Sequence, residues 1–214
     1  MTLFDSPDFE GHEAVHAFSD AATGLRCIIA VHSTARGPAA GGCRMWPFPT
    51  SADALQDALR LSRAMSYKNA MADLDLGGGK AVIIGDSRTQ KTPALFEAFG
   101  RAVEAVGGAY WTAEDVGVSP ADLMHARKLT RYVAGLEGHP AASGDPSPVT
   151  AEGVFRGISL CVRRAMDRDL EGVTVALQGV GHVGAYLADK LHAAGARLII
   201  TDVNAEALAA VAAR

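Results

Sequence analysis

Val173-Thr174-Val175-Ala176-Leu177-Gln178-Gly179-Val180-Gly181-His182-Val183-Gly184 is the stretch that decides the fold. The apolar, β-branched run over 173–177 predicts a buried strand. The spacing Gly179-x-Gly181-x-x-Gly184 predicts a tight turn opening directly into a helix. The first glycine permits the turn, and the second lets a pyrophosphate approach the backbone. The third lets the helix pack closely on the strand, with its N-terminal amides facing the phosphates. The helix continues through Ala185, Leu187, Ala188 and Leu191, and a second strand over 197–201 is closed by Asp202. That acid stands roughly 20 residues beyond the glycines, where a carboxylate accepts from adenosine ribose hydroxyls and repels a 2′-phosphate. The pattern predicts an NAD-type site built from Gly179, Val180, Gly181, His182, Val183, Gly184 and Asp202, at the opening of a Rossmann unit. Asn204 can cap a further helix, which is cut short at Arg214, so the unit is expected to be incomplete.

Upstream, residues 150–166 read as a helix with Val154, Ile158, Cys161 and Val162 on one side, and 135–148, rich in Gly, Pro and Ser, reads as a linker. The expected organisation is a first domain over 1–140 and the truncated nucleotide-binding part over 150–214. In the first domain, 25–32 reads as a strand and 33–42 as a glycine-rich loop. Thr50 caps a helix, with Asp53 returning the bond; Leu55, Ala58, Leu59, Ser62 and Met65 mark its face, and Tyr67-Lys68-Asn69 falls in its last turn or just beyond. Residues 73–79 read as loop and 81–84 as a buried strand. Thr92-Pro93 opens a helix carrying Leu95, Phe96, Phe99, Val103 and Val106, ended by Gly107-Gly108. A short strand over 109–112 and a helix from Ser119-Pro120, with Asp122 completing its cap, follow. The fold class is α/β: a mixed-sheet first domain and an incomplete Rossmann part.

Composition narrows the functions. The chain has 214 residues, 49% of them hydrophobic, and a net charge of -4 spread without a basic block, which gives no support to a nucleic-acid partner. The three cysteines, Cys27, Cys43 and Cys161, are too few and too scattered for a disulfide framework or a zinc site, so no metal is expected. Cys27 and Cys161 lie in apolar segments and are expected to be buried. The N-terminus lacks a basic region followed by an apolar stretch, and no run is long enough to span a membrane, so the cytoplasm is the expected compartment.

Two lysines carry the chemistry. Lys68 sits at a helix end, and Lys80 closes Gly77-Gly78-Gly79 and precedes a buried strand. Three glycines in a row suit backbone that passes very close to something. A lysine held there can be desolvated or placed beside another cation, and either lowers its pKa toward neutrality. Asp115, after Trp111-Thr112, is its candidate carboxylate partner. Two lysines, an aspartate and a nicotinamide site suggest hydride transfer at a carbon bearing an ionisable group.

Four motifs, Gly41-Gly42-Cys43-Arg44-Met45-Trp46-Pro47, Met65-Ser66-Tyr67-Lys68-Asn69-Ala70, Leu76-Gly77-Gly78-Gly79-Lys80-Ala81 and Thr112-Ala113-Glu114-Asp115-Val116-Gly117, resemble the glutamate/leucine/phenylalanine/valine dehydrogenase family, most of all its leucine-acting members. The resemblance extends through Ser143-Gly144-Asp145-Pro146-Ser147-Pro148-Val149-Thr150 and the glycine turn. It implies Lys80 as the catalytic base acting through a water, and Asp115 as the group moving protons to and from the amine. It places Lys68 on the substrate carboxylate, with Gly41, Gly42, Met65 and Ala113 in the same pocket, and Thr150 by the nicotinamide. The neighbouring Lys68 would depress the pKa of Lys80. Cys43 stands where threonine or another small residue is expected, and Glu152 where relatives often carry an aromatic.

The implied activity is NAD-dependent, reversible oxidative deamination of an apolar L-amino acid to its 2-oxo acid and ammonia, by a homo-oligomer. Ala40 and Ala113 offer no cation for a γ-carboxylate, and phenylalanine-acting relatives often have glycine at the position of Ala113. Leucine, isoleucine or valine is therefore favoured over glutamate or phenylalanine. The alternative is a truncated family member that binds ligand or oligomerises without turnover, and the isolated 214-residue chain is expected to be an inefficient dehydrogenase.

Overall fold

The computed structural model describes residues 3–136 and 145–214. Residues 137–144, and with them Ser143, Gly144 and most of the expected linker, lie outside the described residues. The chain divides into two compact units, Met1–Gly144 and Asp145–Arg214.

The first unit is a five-stranded mixed sheet. Its strands are β1 (Ala14–Asp20), β2 (Leu25–Ser33), β3 (Ala39–Trp46), β4 (Gly77–Ile84) and β5 (Tyr110–Glu114), in the order β1-β2-β4-β3-β5. β2 runs antiparallel to β1 and β4, whereas β3 lies parallel between β4 and β5. Alternation along each strand sends two apolar sets to opposite faces. Ile29, Val31, Cys43, Met45, Ala81, Ile83 and Tyr110 pack with α2 (Pro93–Ala105) and α3 (Pro120–Arg127). Ala30 and Val82 pack against Ala54, Ala58 and Leu59 of α1 (Ser51–Met71) on the other face. The helix starts fall where the caps predict them. Thr50 with Asp53, and Ser119 with Asp122, form reciprocal capping boxes, and the Thr92 hydroxyl accepts from Leu95 N ahead of Pro93.

Three expectations about this unit change. β1 has no counterpart in the sequence reading; it forms a hairpin with β2, which begins just after Gly24 (φ +75°). The segments 33–42 and 73–79 are not wholly loop, since β3 starts at Ala39 and β4 at Gly77. Glycines stand inside these strands because no Cβ fits. A Cβ on Gly77 would fall 2.0 Å from Ser33 O, one on Gly78 2.1 Å from Ser66 Oγ of α1, and one on Gly79 2.6 Å from the Tyr110 ring. The close neighbour foreseen for the triple glycine is the protein itself, on both faces of β4.

The second unit holds α4 (Ser147–Met166), β6 (Thr174–Gln178), α5 (His182–Ala193), β7 (Arg197–Thr201) and α6 (Ala205–Ala212), with β6 and β7 forming a parallel two-stranded sheet. Val175, Leu177, Leu198 and Ile200 turn one face of that sheet to α5 and α6, while Ile199 on the other face is 63% exposed. α4 begins before Pro148, in the segment expected to be linker, and Asp145 Oδ1 accepts from Ser147 N in its first turn. Ala151, Phe155, Ile158 and Val162 form its packed stripe. Cys161, adjacent to that stripe, is exposed, contrary to expectation, as is Val154. Cys27 is buried.

Candidate active site

Lys80 points to the α1 face of the sheet, opposite Ala30 of β2, and is only 5% exposed. Its Nζ donates to Asp115 Oδ2 at 2.6 Å. Asp115 follows β5 in a tight turn: Val118 N donates to Asp115 O, Met45 N donates to Val116 O, and Gly117 takes a left-handed φ of +80° against Met45 O. The turn clips the end of β5 to β3 and delivers the carboxylate to the lysine.

A third group completes the cluster. Arg44 leaves β3 on the same face as Val82, its partner in β4. Arg44 Nε donates to the same Asp115 Oδ2 at 3.0 Å, and Nη1 donates to Asp57 Oδ2 of α1 at 2.9 Å. Burial, opposed by the attraction of Asp115 and assisted by the Arg44 charge, holds Lys80 below the ordinary lysine range. Burial works against the charge on Asp115, but Lys80 and then Arg44 outweigh it and keep its pKa below the usual carboxylate range. The cation that assists burial is therefore Arg44, not Lys68 as expected. Arg44 stands in the first motif, and its alternation with Gly42 on β3 was the available signal; Asp57 had none beyond its place on α1.

The remaining residues group unevenly. Gly42 pairs with Ala113 across β3 and β5, and a Cβ on Gly42 would fall 2.8 Å from the Asp115 Cβ. Met65 Cγ lies over Gly41, 3.0 Å from where a Cβ would stand, so Gly41, Gly42, Met65, Ala113, Lys80 and Asp115 form one neighbourhood. Tyr110 Oη donates to Gly41 O at 2.6 Å and fixes that strand from the other face. Lys68 lies in the last turn of α1, three residues on from Met65, and is exposed, with no ion pair among the described residues. Its neighbour Asn69 is buried and donates Nδ2 to Gly77 O at 2.6 Å, which ties the helix end to β4. Cys43 is fully buried in the opposite face of the sheet, and burial pushes its thiol up.

In the second unit, a Cβ on Gly184 would fall 2.0 Å from Gly179 O, which is the close helix–strand approach the third glycine permits. Gly179 has φ +91°, and Gly181 borders open space at the start of α5 with no side-chain cap. Asp202 Oδ2 accepts from Val180 N at 2.7 Å and Oδ1 from Asn204 N at 2.7 Å, so the acid closes the glycine turn against β7. The Val180 side chain is buried and Val183 packs on the unit's core, while His182 is exposed. Thr150 is exposed in the first turn of α4, and its N–H donates to Pro146 O. Glu152 accepts from Arg156 at 2.6 Å and from Lys190 of α5 at 2.8 Å, so it links the two helices. The uncapped amides, open glycine positions and terminal acid fit a dinucleotide phosphate and ribose. Among the described residues, no group of three or more His, Cys, Asp or Glu is arranged to hold a metal, and no helix is long and apolar enough to cross a membrane.

Residues 12–132, which contain the mixed sheet and the lysine–aspartate pair, match the family model described as "Glu/Leu/Phe/Val dehydrogenase, dimerisation domain". The chain belongs to the Glu/Leu/Phe/Val dehydrogenase family. It is 49% identical over 210 residues to the leucine dehydrogenase of Geobacillus stearothermophilus, covering 98% of this chain and 57% of that protein. It is 46% identical over 209 residues to the phenylalanine dehydrogenase of Bacillus thermotolerans, covering 97% of this chain and 54% of that one. Among solved structures it resembles the L-tryptophan dehydrogenase of Nostoc punctiforme, with a TM-score of 0.68 and 37% identity over 98% of this chain and 59% of that one. The 214 residues thus span little more than half the length of these relatives.

The expectation that this chain carries out oxidative deamination is corrected on these findings. The nucleotide sheet has only β6 and β7 among the described residues, and one face of that sheet is open around Ile199. Parallel strands are ordinarily covered on both faces, and a cofactor site with half its wall excludes little water. The reading without turnover fits the structure better.

Proposed function

We propose that residues 1–214 form the ligand-binding and self-associating part of the family scaffold and conduct no redox turnover by themselves. The observation that carries this reading is the buried Lys80, 5% exposed and bonded to Asp115, in a unit that also holds the exposed Lys68, which has no ion pair among the described residues. Lys68 supplies a free cation for the carboxylate of an L-amino acid or 2-oxo acid. Lys80, whose burial lowers its pKa below the ordinary lysine range, can hold or release a proton at the ligand, and Asp115 can exchange one with the ligand amine. Gly41 and Gly42 give the ligand room at the backbone; Met65 and the Ala113 methyl supply apolar contact. These roles would make residues 1–140 the substrate and association domain and 150–214 the start of the nucleotide domain.

Gly179, Gly181 and the amides of His182 and Val183 would hold the phosphates of a dinucleotide, Asp202 its ribose, and Thr150 its far end. When bound, that group would supply a hydride acceptor. Asp202 opposes a 2′-phosphate, which favours NAD over NADP. The family model's description supports self-association through 12–132.

The test is calorimetric titration of the 214-residue protein with leucine, phenylalanine and 4-methyl-2-oxopentanoate, alongside sedimentation equilibrium. Saturable binding weakened about tenfold or more by Lys68→Ala, in a self-associated protein, is the expected result; one lost charge-assisted contact corresponds to about 1.5–3 kcal/mol. No binding of any of the three, or binding indifferent to Lys68→Ala, overturns the assignment.

A further inference from the structure

Arg44 is absorbed by none of the roles above, yet it ties the cluster to α1. Its guanidinium bridges two carboxylates from different elements, Asp115 after β5 and Asp57 of α1. It also shares a single oxygen, Asp115 Oδ2, with Lys80. We propose that Arg44 is a positioning residue: anchored to Asp57, it fixes the Asp115 carboxylate beside Lys80 and takes part of its charge, so that Asp115 is never the exclusive partner of the lysine. The proposal deepens the reading of Lys80 and Asp115 as the proton-handling pair and rests on it.

The physical argument starts from Arg44's permanent charge and planar fork, which can hold two carboxylates in a fixed relation. A lysine paired alone with a buried aspartate is stabilised as the ammonium and becomes a poor proton acceptor. Arg44 opposes this twice, by withdrawing Asp115's negative charge and by placing a second positive charge on the same oxygen. Asp57 keeps the guanidinium from swinging wholly onto Asp115. The charged and titratable groups around Lys80 are Asp115 from the turn after β5, and Arg44 and the Cys43 thiol from β3. α1 adds Asp57 through Arg44. Arg44 and Asp57 also line a cavity of about 390 Å³ with Trp46, Phe48, Gln56 and Arg60, so shortening the arginine opens onto existing space, not a sealed core.

The test reads Lys80 directly and needs no ligand or turnover. The 214-residue protein is labelled with trace acetic anhydride across a pH series, and acetylation of the Lys80 peptide is quantified by mass spectrometry. In Arg44→Met, the midpoint of Lys80 reactivity should move to higher pH, with labelling at a fixed pH below it slowed about tenfold, the equivalent of one pH unit. Arg44→Gln, which keeps hydrogen-bond donors but not the charge, should shift the same way and serves if the methionine variant does not fold by circular dichroism. Arg44→Lys, which keeps the charge, should restore most of the wild-type profile. An unchanged midpoint in a folded neutral variant, or a shift as large in Arg44→Lys as in the neutral variants, overturns the proposal. Loss of ligand binding in the calorimetric test leaves this readout untouched, so the two failures are distinguishable.

Discussion

Asp115 is the residue through which the candidate site's charges balance. It faces two cations, and its pKa stays low although burial acts against it, because Lys80 and Arg44 stabilise the carboxylate. A group whose folded pKa lies below its unfolded value contributes stability that is present above the unfolded value, about 3.9 for aspartate, and is lost as pH falls through the folded one. Asp115→Asn should therefore lower stability at pH 7 by about 1.5–3 kcal/mol, the range for charge-assisted hydrogen bonds. The gap from wild type should close as pH drops below about 4. Urea melts of both proteins from pH 3 to 7 check this; a gap independent of pH would show that the carboxylate is not held by charge. The residue scale is also where the sequence was least complete. Lys80 and Asp115 stand out by their settings, but Arg44 and Asp57 acquire significance only when β3, β5 and α1 converge.

Among the elements, the glycines of β4 have a definite task. Gly78 lies under α1, where a Cβ would meet Ser66 Oγ at 2.1 Å, Ser66 N at 2.3 Å and Ser62 O at 2.4 Å. Two of those three atoms are backbone and cannot rotate away. Gly78→Ala should push α1 off the sheet and cost about 1–3 kcal/mol or more, as overpacking does. Gly157 is the opposite case, a helical glycine of α4 with nothing within 4 Å of a built Cβ. Gly157→Ala should stabilise by about 0.5–1 kcal/mol, because only the helix-propensity term changes. Chemical denaturation of the two variants should give opposite signs; equal effects would mean that backbone entropy, not packing, selects glycine in β4. The helix caps, by contrast, were legible residue by residue, because a cap is a contact across three residues of chain. The β1–β2 pairing escaped the reading because β1, AVHAFSD, alternates weakly, and its register is set by its partner.

For the whole molecule, the decisive feature is the asymmetry between the units. The first closes a core on both faces of a five-stranded sheet; the second offers two strands and an exposed Ile199. Purified 214-residue protein should form no NADH, followed at 340 nm, from leucine, valine or phenylalanine, because correct placement of reactants alone contributes roughly 7–11 kcal/mol to such chemistry. Turnover approaching about 10 s⁻¹, a typical enzyme rate, would mean that the two-strand sheet suffices.

Local chemistry wrote much of this protein plainly into the sequence: the caps at Thr50, Thr92 and Ser119, the turn at Gly179, the strand at Arg197–Thr201, and the four motifs that identify the family. Each depends on contacts within a few residues or on a fixed spacing, so the linear order suffices to read it. Only the tertiary structure decided that Gly41, Gly42 and the triple glycine are strand, not loop. It alone revealed that Cys161 faces outward, that Asp202 closes the glycine turn, and that the cation beside Lys80 is Arg44, not Lys68. Those outcomes depend on which surface each segment meets, and Arg44 meets Asp115 across 71 residues of chain. Spacing says which side chains share a face; the packing of helices and strands says what that face touches.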